Sequence, residues 1–185
     1  MKNGPKLFGL ALGVALLCGL STAWGQWRPP RSKPPSRAVM REFLQLKEVE
    51  QLIFRFTNEA RRQHGLPSLD QDRELSRVAW RYSADMLHRR FFSHTNPDGL
   101  SPRDRVLSDY VPRPLMVGEN LWSGSGADPG ETRLLARIIV DGWMASPGHR
   151  RNLLHPRYTH LGVGVAAFGR EVRATQLFVT LPSRP

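Results

Sequence analysis

Residues 160–181 alternate in twos on either side of a short break. His160-Leu161-Gly162-Val163-Gly164-Val165-Ala166-Ala167-Phe168 is followed by Gly169-Arg170, and Arg173-Ala174-Thr175-Gln176-Leu177-Phe178-Val179-Thr180-Leu181 alternates again. That pattern specifies a β-hairpin. Gly162 and Gly164 leave one face of the first strand without side chains, so another segment packs closely there. Val117–Trp122 supplies a further candidate strand. Upstream, the period is helical. Val49, Leu52, Ile53, Phe56 and Ala60 step at helix spacing from Glu48, and His64-Gly65-Leu66-Pro67 stops that helix. Asp72 caps a second helix, with Leu75, Val78, Ala79, Tyr82 and Met86 on one stripe. Ser101-Pro102-Arg103-Asp104 opens a short third helix. Asp128-Pro129 opens a fourth, burying Leu135, Ile138, Ile139 and Trp143, and Ser146-Pro147-Gly148 starts one more turn through Leu153. Helices first and a hairpin last, without βαβ alternation, indicate an α+β layered domain.

The start of the chain reads as an export signal. Lys2 and Lys6 precede an apolar run from Leu7 to Leu20, and Ala23-Trp24-Gly25 places small residues before a cleavage point at Gln26. The run, about 14 residues, is too short to span a bilayer. Leu17 in front of Cys18 argues against lipidation. Residues 1–25 are thus expected to be removed, leaving no transmembrane anchor. Cys18 is the single cysteine of the 185 residues, so the exported chain carries no disulfide, cysteine metal site or cysteine nucleophile. About 160 residues can be held by a core alone. Residues 26–45 read as a Pro/Arg-rich linker, a spacer or basic tether, with the domain over 46–185.

Charge sets further limits. Of 27 basic residues 23 are arginine, against 16 acidic residues. No basic run interleaved with aromatics marks a nucleic-acid face, and an exported protein rarely meets nucleic acid. The charge suits anionic wall polymers or lipid headgroups instead. The expected location is secreted or periplasmic.

Unusual polar residues gather in four segments. These are Phe91-Phe92-Ser93-His94-Thr95-Asn96-Pro97-Asp98-Gly99, Gly118-Glu119-Asn120-Leu121, Trp143-Met144-Ala145-Ser146-Pro147-Gly148-His149-Arg150-Arg151-Asn152 and Thr175-Gln176-Leu177-Phe178. His149 lies in the first turn of a helix, where backbone N–H groups favour its neutral, ligand-competent ring. Two histidines 55 residues apart do not by themselves mark a metal site. Glu119 reads equally as a catalytic group and as a structural carboxylate accepting backbone N–H bonds. Asn120 reads as a backbone partner, Ser146 as the cap of the helix beginning at Pro147, and Trp143 as core or cleft wall.

In order and spacing, these segments, with Asn58-Glu59-Ala60-Arg61 and Gly162-Val163-Gly164-Val165, resemble the CAP superfamily (SCP/PR-1-like) in its bacterial, disulfide-free form. The resemblance runs from about Leu46 to Leu181. It implies an α-β-α sandwich with a small three- or four-stranded antiparallel sheet between helices. It also implies a cleft of two histidines and two acids that in relatives can take a divalent metal. His94 matches the first cleft histidine, Glu119 the glutamate of the Gly-Glu-Asn motif and His149 the second histidine. Ser146 stands where eukaryotic relatives carry the second glutamate, so the cleft has one negative charge fewer. The implied metal ligands are His94 and His149, holding zinc or another divalent ion weakly, with Asn120, Ser146 and Trp143 about the cleft. Three functions fit: a binding module for an envelope or extracellular ligand, a metal-assisted, protease-like hydrolase using His94, His149 and Glu119, or a structural or adhesive envelope protein.

Overall fold

The structure is a computed structural model that describes residues 36–126 and 130–182. The export signal, its cleavage point and the Pro-rich stretch before Ser36 lie outside the described residues. In chain order the elements are α1 (Arg37–Gln63), β1 (Asp70–Gln71), α2 (Arg73–His88), α3 (Pro102–Asp109), β2 (Met116–Ser125), α4 (Thr132–Ala145), α5 (Pro147–Leu153), β3 (His160–Phe168) and β4 (Glu171–Thr180).

The first helix begins eleven residues before the expected Glu48, and residues 37–45 are helical rather than extended linker. The proline pairs end at Pro35, and Ser36 then caps the helix by accepting from the Val39 amide. The Asp72 cap and the Ser101–Asp104 capping box form as their residue types require. Asp128-Pro129 lies outside the described residues, and the fourth helix is described from Thr132. That helix buries Leu135, Ala136, Ile139, Val140 and Trp143, while Ile138, expected inside, is half-exposed on the flank. Ser146 occupies the cap position of α5 without making the expected side-chain bond.

The sheet order is β1-β3-β4-β2. The hairpin pairs β3 with β4 antiparallel, and β2 lies antiparallel on the far side of β4, Glu119 opposite Leu177 and Asn120 opposite Gln176. The sheet is nevertheless mixed, because β1 runs parallel to β3 with Asp70 opposite His160. A two-residue strand is too short to show any alternation, which is why the sequence pattern omits it.

Helices cover both faces of the sheet. On one face, α1 and α4 pack Leu52, Ile53, Phe56, Ile139 and Trp143 against Leu161, Val163, Val165, Ala174 and Phe178. On the other, α2 and α3 pack Leu75, Val78, Ala79 and Val106 against Leu177 and Val179. Gly162 and Gly164 make the second layer possible. A Cβ at Gly162 would lie 2.4 Å from the Leu75 carbonyl carbon, and one at Gly164 only 1.9 Å from the Trp80 amide nitrogen. Helix α2 therefore rests backbone to backbone on β3. The result is an α-β-α sandwich, as the resemblance implies.

Candidate functional site

Neighbouring residues on a strand point to opposite faces, and β2 uses both. Glu119 points toward α2 and α3, and Asn120 toward α1 and α5. The Glu119 side chain is 1% exposed, so its carboxylate needs donors. It has two. Arg105 on α3 donates Nη2 to Oε2 at 2.6 Å, and the His94 ring lies with Nδ1 2.8 Å from Oε1.

Arg105 organises this corner. Its Nη1 donates to the carbonyls of His94 and Leu100 at 2.9 and 2.8 Å. Its guanidinium lies 3.3 Å from the centre of the Tyr82 ring, a close cation–π stack. The Tyr82 hydroxyl donates to the Ser93 carbonyl. Burial pushes the Tyr82 phenol up to about 12, with the Arg105 charge pulling the other way, so it stays protonated and donating. Asn96 closes the loop from within, its Oδ1 accepting from the Asp98 and Leu100 amides. His94 is thus held on a fixed loop, with 54% of its side chain open to solvent.

His149 lies in the first turn of α5. Burial, and secondarily the charge of His94, lowers its pKa below the ordinary histidine value, so its ring is neutral at neutral pH. His94 and Glu119 meet directly, and the His149 backbone lies against the next residue of β2, its carbonyl accepting from Asn120. Arg105 completes the Glu119 pair and is a member that sequence reasoning missed.

Asn120 and Trp143 serve the scaffold instead. Asn120 is fully buried, donates to the His149 carbonyl and to Gln176 Oε1 at 3.1 Å each, and accepts from Asn152 at 3.0 Å. Gln176 in turn donates to Thr57 on α1 at 2.8 Å. Because β2 is an edge strand, its outer carbonyls need partners. Asn152 donates to the Glu119 carbonyl at 3.0 Å and Trp143 Nε1 to the Leu121 carbonyl at 2.9 Å. Asn120 is thus a backbone partner and Trp143 core, as their own sequence readings have it, and their burial leaves neither exposed about the cleft, where the resemblance implies them. Ser146 is partly exposed. Glu119 meets side-chain donors, not the backbone amides anticipated for a structural carboxylate.

The same logic covers the first-helix motif. Asn58 pairs through its amide with both backbone groups of Leu69. Arg61, fully buried, donates to the carbonyls of Pro67, Leu153 and His155 at 2.9, 2.9 and 3.0 Å. These bonds tie the end of α1 to the loop before β1 and to the end of α5.

Residues 54–180 match the model of the CAP family, described as the cysteine-rich secretory protein family. The chain belongs to this family. Its domain carries none of the cysteines in the family's name. The chain is 36% identical over 120 residues to the uncharacterized protein YkwD of Bacillus subtilis, covering 65% of this chain and 43% of that protein. It is 37% identical over 116 residues to the uncharacterized membrane protein YlbC of the same species, covering 63% of this chain and 31% of that protein. The chain thus spans less than half the length of either relative. An extracellular SCP-domain protein of Bacillus anthracis superposes with a TM-score of 0.62 at 32% identity, over 80% of this chain and 45% of that one. An outer surface protein of Borrelia burgdorferi shares the fold, with a TM-score of 0.63 at 23% identity over 74% and 95% of the two chains. Among the described residues, no helix of this CAP protein is long and apolar enough to cross a membrane.

Against the divalent ion that the family implies, the donor set here is restricted. Both Glu119 oxygens are taken, and no group of three His, Cys, Asp or Glu able to hold an ion occurs among the described residues. His94 Nε2 and the His149 ring remain. A carboxylate on Nδ1 is the usual support for a histidine that ligates through Nε2. Two imidazoles are half of the four partners that zinc usually takes.

Proposed function

We propose that this CAP protein is an exported binding module, acting at the cell envelope or outside the cell through the corner formed by His94, His149 and the Glu119–Arg105 pair. One observation carries the reading. The Glu119 carboxylate is buried, and each of its oxygens already meets a partner, Arg105 at Oε2 and His94 at Oε1. A general base needs an oxygen within reach of the proton that it takes. Glu119 instead orients His94 and fixes its tautomer, with Nε2 turned to the open side. That corner presents two imidazole nitrogens to a ligand of the envelope, such as an anionic wall polymer or a lipid headgroup. The extracellular B. anthracis relative and the leader before Gln26 support an exported setting.

The two nitrogens also take zinc weakly, with micromolar or poorer affinity, about −8 kcal/mol or less favourable. His94 and His149 would hold the ion, which would supply Lewis acidity and a polarised water. Binding weakens at acid pH, because protonated imidazole cannot ligate. Calorimetric titration with zinc tests the corner, comparing wild type with the His94→Ala, His149→Ala double variant. Heat is expected from the first only, and equal heats would remove the site.

The hydrolase reading keeps one observation in its favour: the Glu119–His94 pair orients an imidazole as a base would be oriented. A panel of ester and peptide substrates, assayed with and without chelator, separates the two readings. Chelator-sensitive turnover that His149→Ala abolishes would replace the binding module with an enzyme.

A further inference from the structure

Helix α1 begins well before the body of the domain. Residues 37–44 are exposed throughout, and Val49 is its first fully buried apolar side chain. At a rise of about 1.5 Å per residue, the overhang is roughly 12 Å long. It is not polar all round, as a solvated helix end would be. Val39, Met40, Phe43 and Leu44 recur at spacings of three and four, so they form one stripe, and each is between 43% and 59% exposed. Elsewhere the exposed apolar residues make no stripe this long; on α4 Leu134 and Ile138 pair one turn apart, two side chains against four. Arg37 and Arg41 fall together on the polar face beside the stripe. Lys47, within the stripe, lies 5.6 Å from the Phe43 ring and 2.8 Å from Glu50, so its charge is drawn off toward the domain.

The charge in sequence around the stripe is biased to the basic side. Residues 28–50 carry Arg28, Arg31, Lys33, Arg37, Arg41 and Lys47 against Glu42, Glu48 and Glu50, the last of which is paired with Lys47. A basic amphipathic helix with an apolar face lies in the interface plane of a bilayer, and basic residues beside it add attraction to anionic headgroups. A second copy of the chain suits the stripe poorly. Pairing two stripes would bring two sets of like charges together. Four half-exposed side chains also offer only on the order of a few hundred Å² per copy, short of the roughly 1,000 Å² that a specific interface needs.

We propose that residues 37–44, an apolar stripe with Arg37 and Arg41 beside it, form a membrane-surface contact selective for anionic lipid headgroups. The contact would hold the domain at the bilayer without spanning it. It is separate from the His94–His149 corner and stands whether or not that corner binds a ligand.

Vesicle co-sedimentation of the exported chain tests it. The vesicles are phosphatidylglycerol mixed with phosphatidylethanolamine, or phosphatidylcholine alone. Wild type should partition at least tenfold more strongly to the anionic vesicles, and less so at high salt. Phe43→Ser with Leu44→Ser should lower that partitioning tenfold or more without a change in thermal midpoint, since both side chains are exposed. Arg37→Gln with Arg41→Gln should weaken it and flatten the salt dependence. The loss caused by Phe43→Ser with Leu44→Ser should recur in a His94→Ala, His149→Ala background, which separates this contact from any headgroup binding at the corner. Equal partitioning of wild type and the Phe43, Leu44 variant would overturn the proposal, because charge alone would then account for binding. So would a wild-type dimer in sedimentation velocity that the same variant dissolves, since the stripe would then belong to a second copy.

Discussion

Removing the Arg105 guanidinium tests whether the corner is built as described. The Arg105 side chain is 10% exposed and its Glu119 partner 1%, so solvent screens their 2.6 Å contact very little. Deleting one member of a buried ion pair leaves the other charge uncompensated, at a cost of about 3–5 kcal/mol. Arg105→Met keeps the length and apolar stem of the side chain. It loses the Glu119 contact, two bonds to loop carbonyls and the stack on Tyr82. We expect destabilisation of about 3–5 kcal/mol, read as a lower urea midpoint with an unchanged slope. Because four contacts go at once, the single variant does not isolate the pair. A cycle with Glu119→Gln does, and the coupling should be about 1.5–3 kcal/mol, the range for hydrogen bonds to charged groups. Coupling below about 0.5 kcal/mol would mean that Arg105 and Glu119 do not interact. Glu119 would then keep an oxygen free for chemistry, and the preference for a binding module would fail.

Trp143 is 1% exposed in the core between α4 and the sheet. Trp143→Ala should cost about 3–5 kcal/mol by urea unfolding, as truncation of large buried aromatics does. Trp143→Phe keeps most of the burial but strands the Leu121 carbonyl, for about 1–3 kcal/mol; a loss below that range would mean water reaches the edge strand. Stability should also depend on pH through His149. Its folded pKa is lowered, so the unfolded chain binds the proton more readily. The stabilisation is complete above the unfolded value of about 6.5 and declines as the pH falls from there toward the folded value. In chelator, the difference in urea midpoint between wild type and His149→Gln should therefore shrink on going from pH 7.5 to 5.5; a constant difference would show that the ring is not shielded.

What the sequence shows and what it hides follow from the range of each interaction. The Asp72 cap, the Ser101–Asp104 box and the hairpin around Gly169-Arg170 are local, and each forms where its residues demand it. The glycines of β3 also announce close packing correctly, although only the fold identifies α2 as the partner. The start of α1 is obscured because prolines up to Pro35 colour the reading of residues that follow them. Ile138 and Val140 differ in burial although both suit a helix stripe, and only the position of the sheet chooses between them. Arg105 is hidden more thoroughly. It is one of 23 arginines and directly follows a capping acid, so its local setting reads as surface. Its role arises only when α3 closes over β2.

That contrast divides the family's characteristic residues by what they do. Asn58, Arg61, Asn120, Trp143, Asn152 and Gln176 bond to backbone groups and to one another, joining α1, α5 and the edge strand β2. Such bonds are costly to lose wherever this sandwich is built, whatever the protein binds. They explain why membership of the family is so legible while its chemistry is not. The members of the motif set that face outward are His94, on a loop pinned by Arg105, and His149, with Ser146 near it in place of an acid. Ser146 stands where the resemblance implies a second acid, and the Glu119 carboxylate is held by Arg105 and His94. The proposed binding function depends instead on His94, held by Glu119 on a loop that Arg105 pins, and on His149, whose pKa burial lowers.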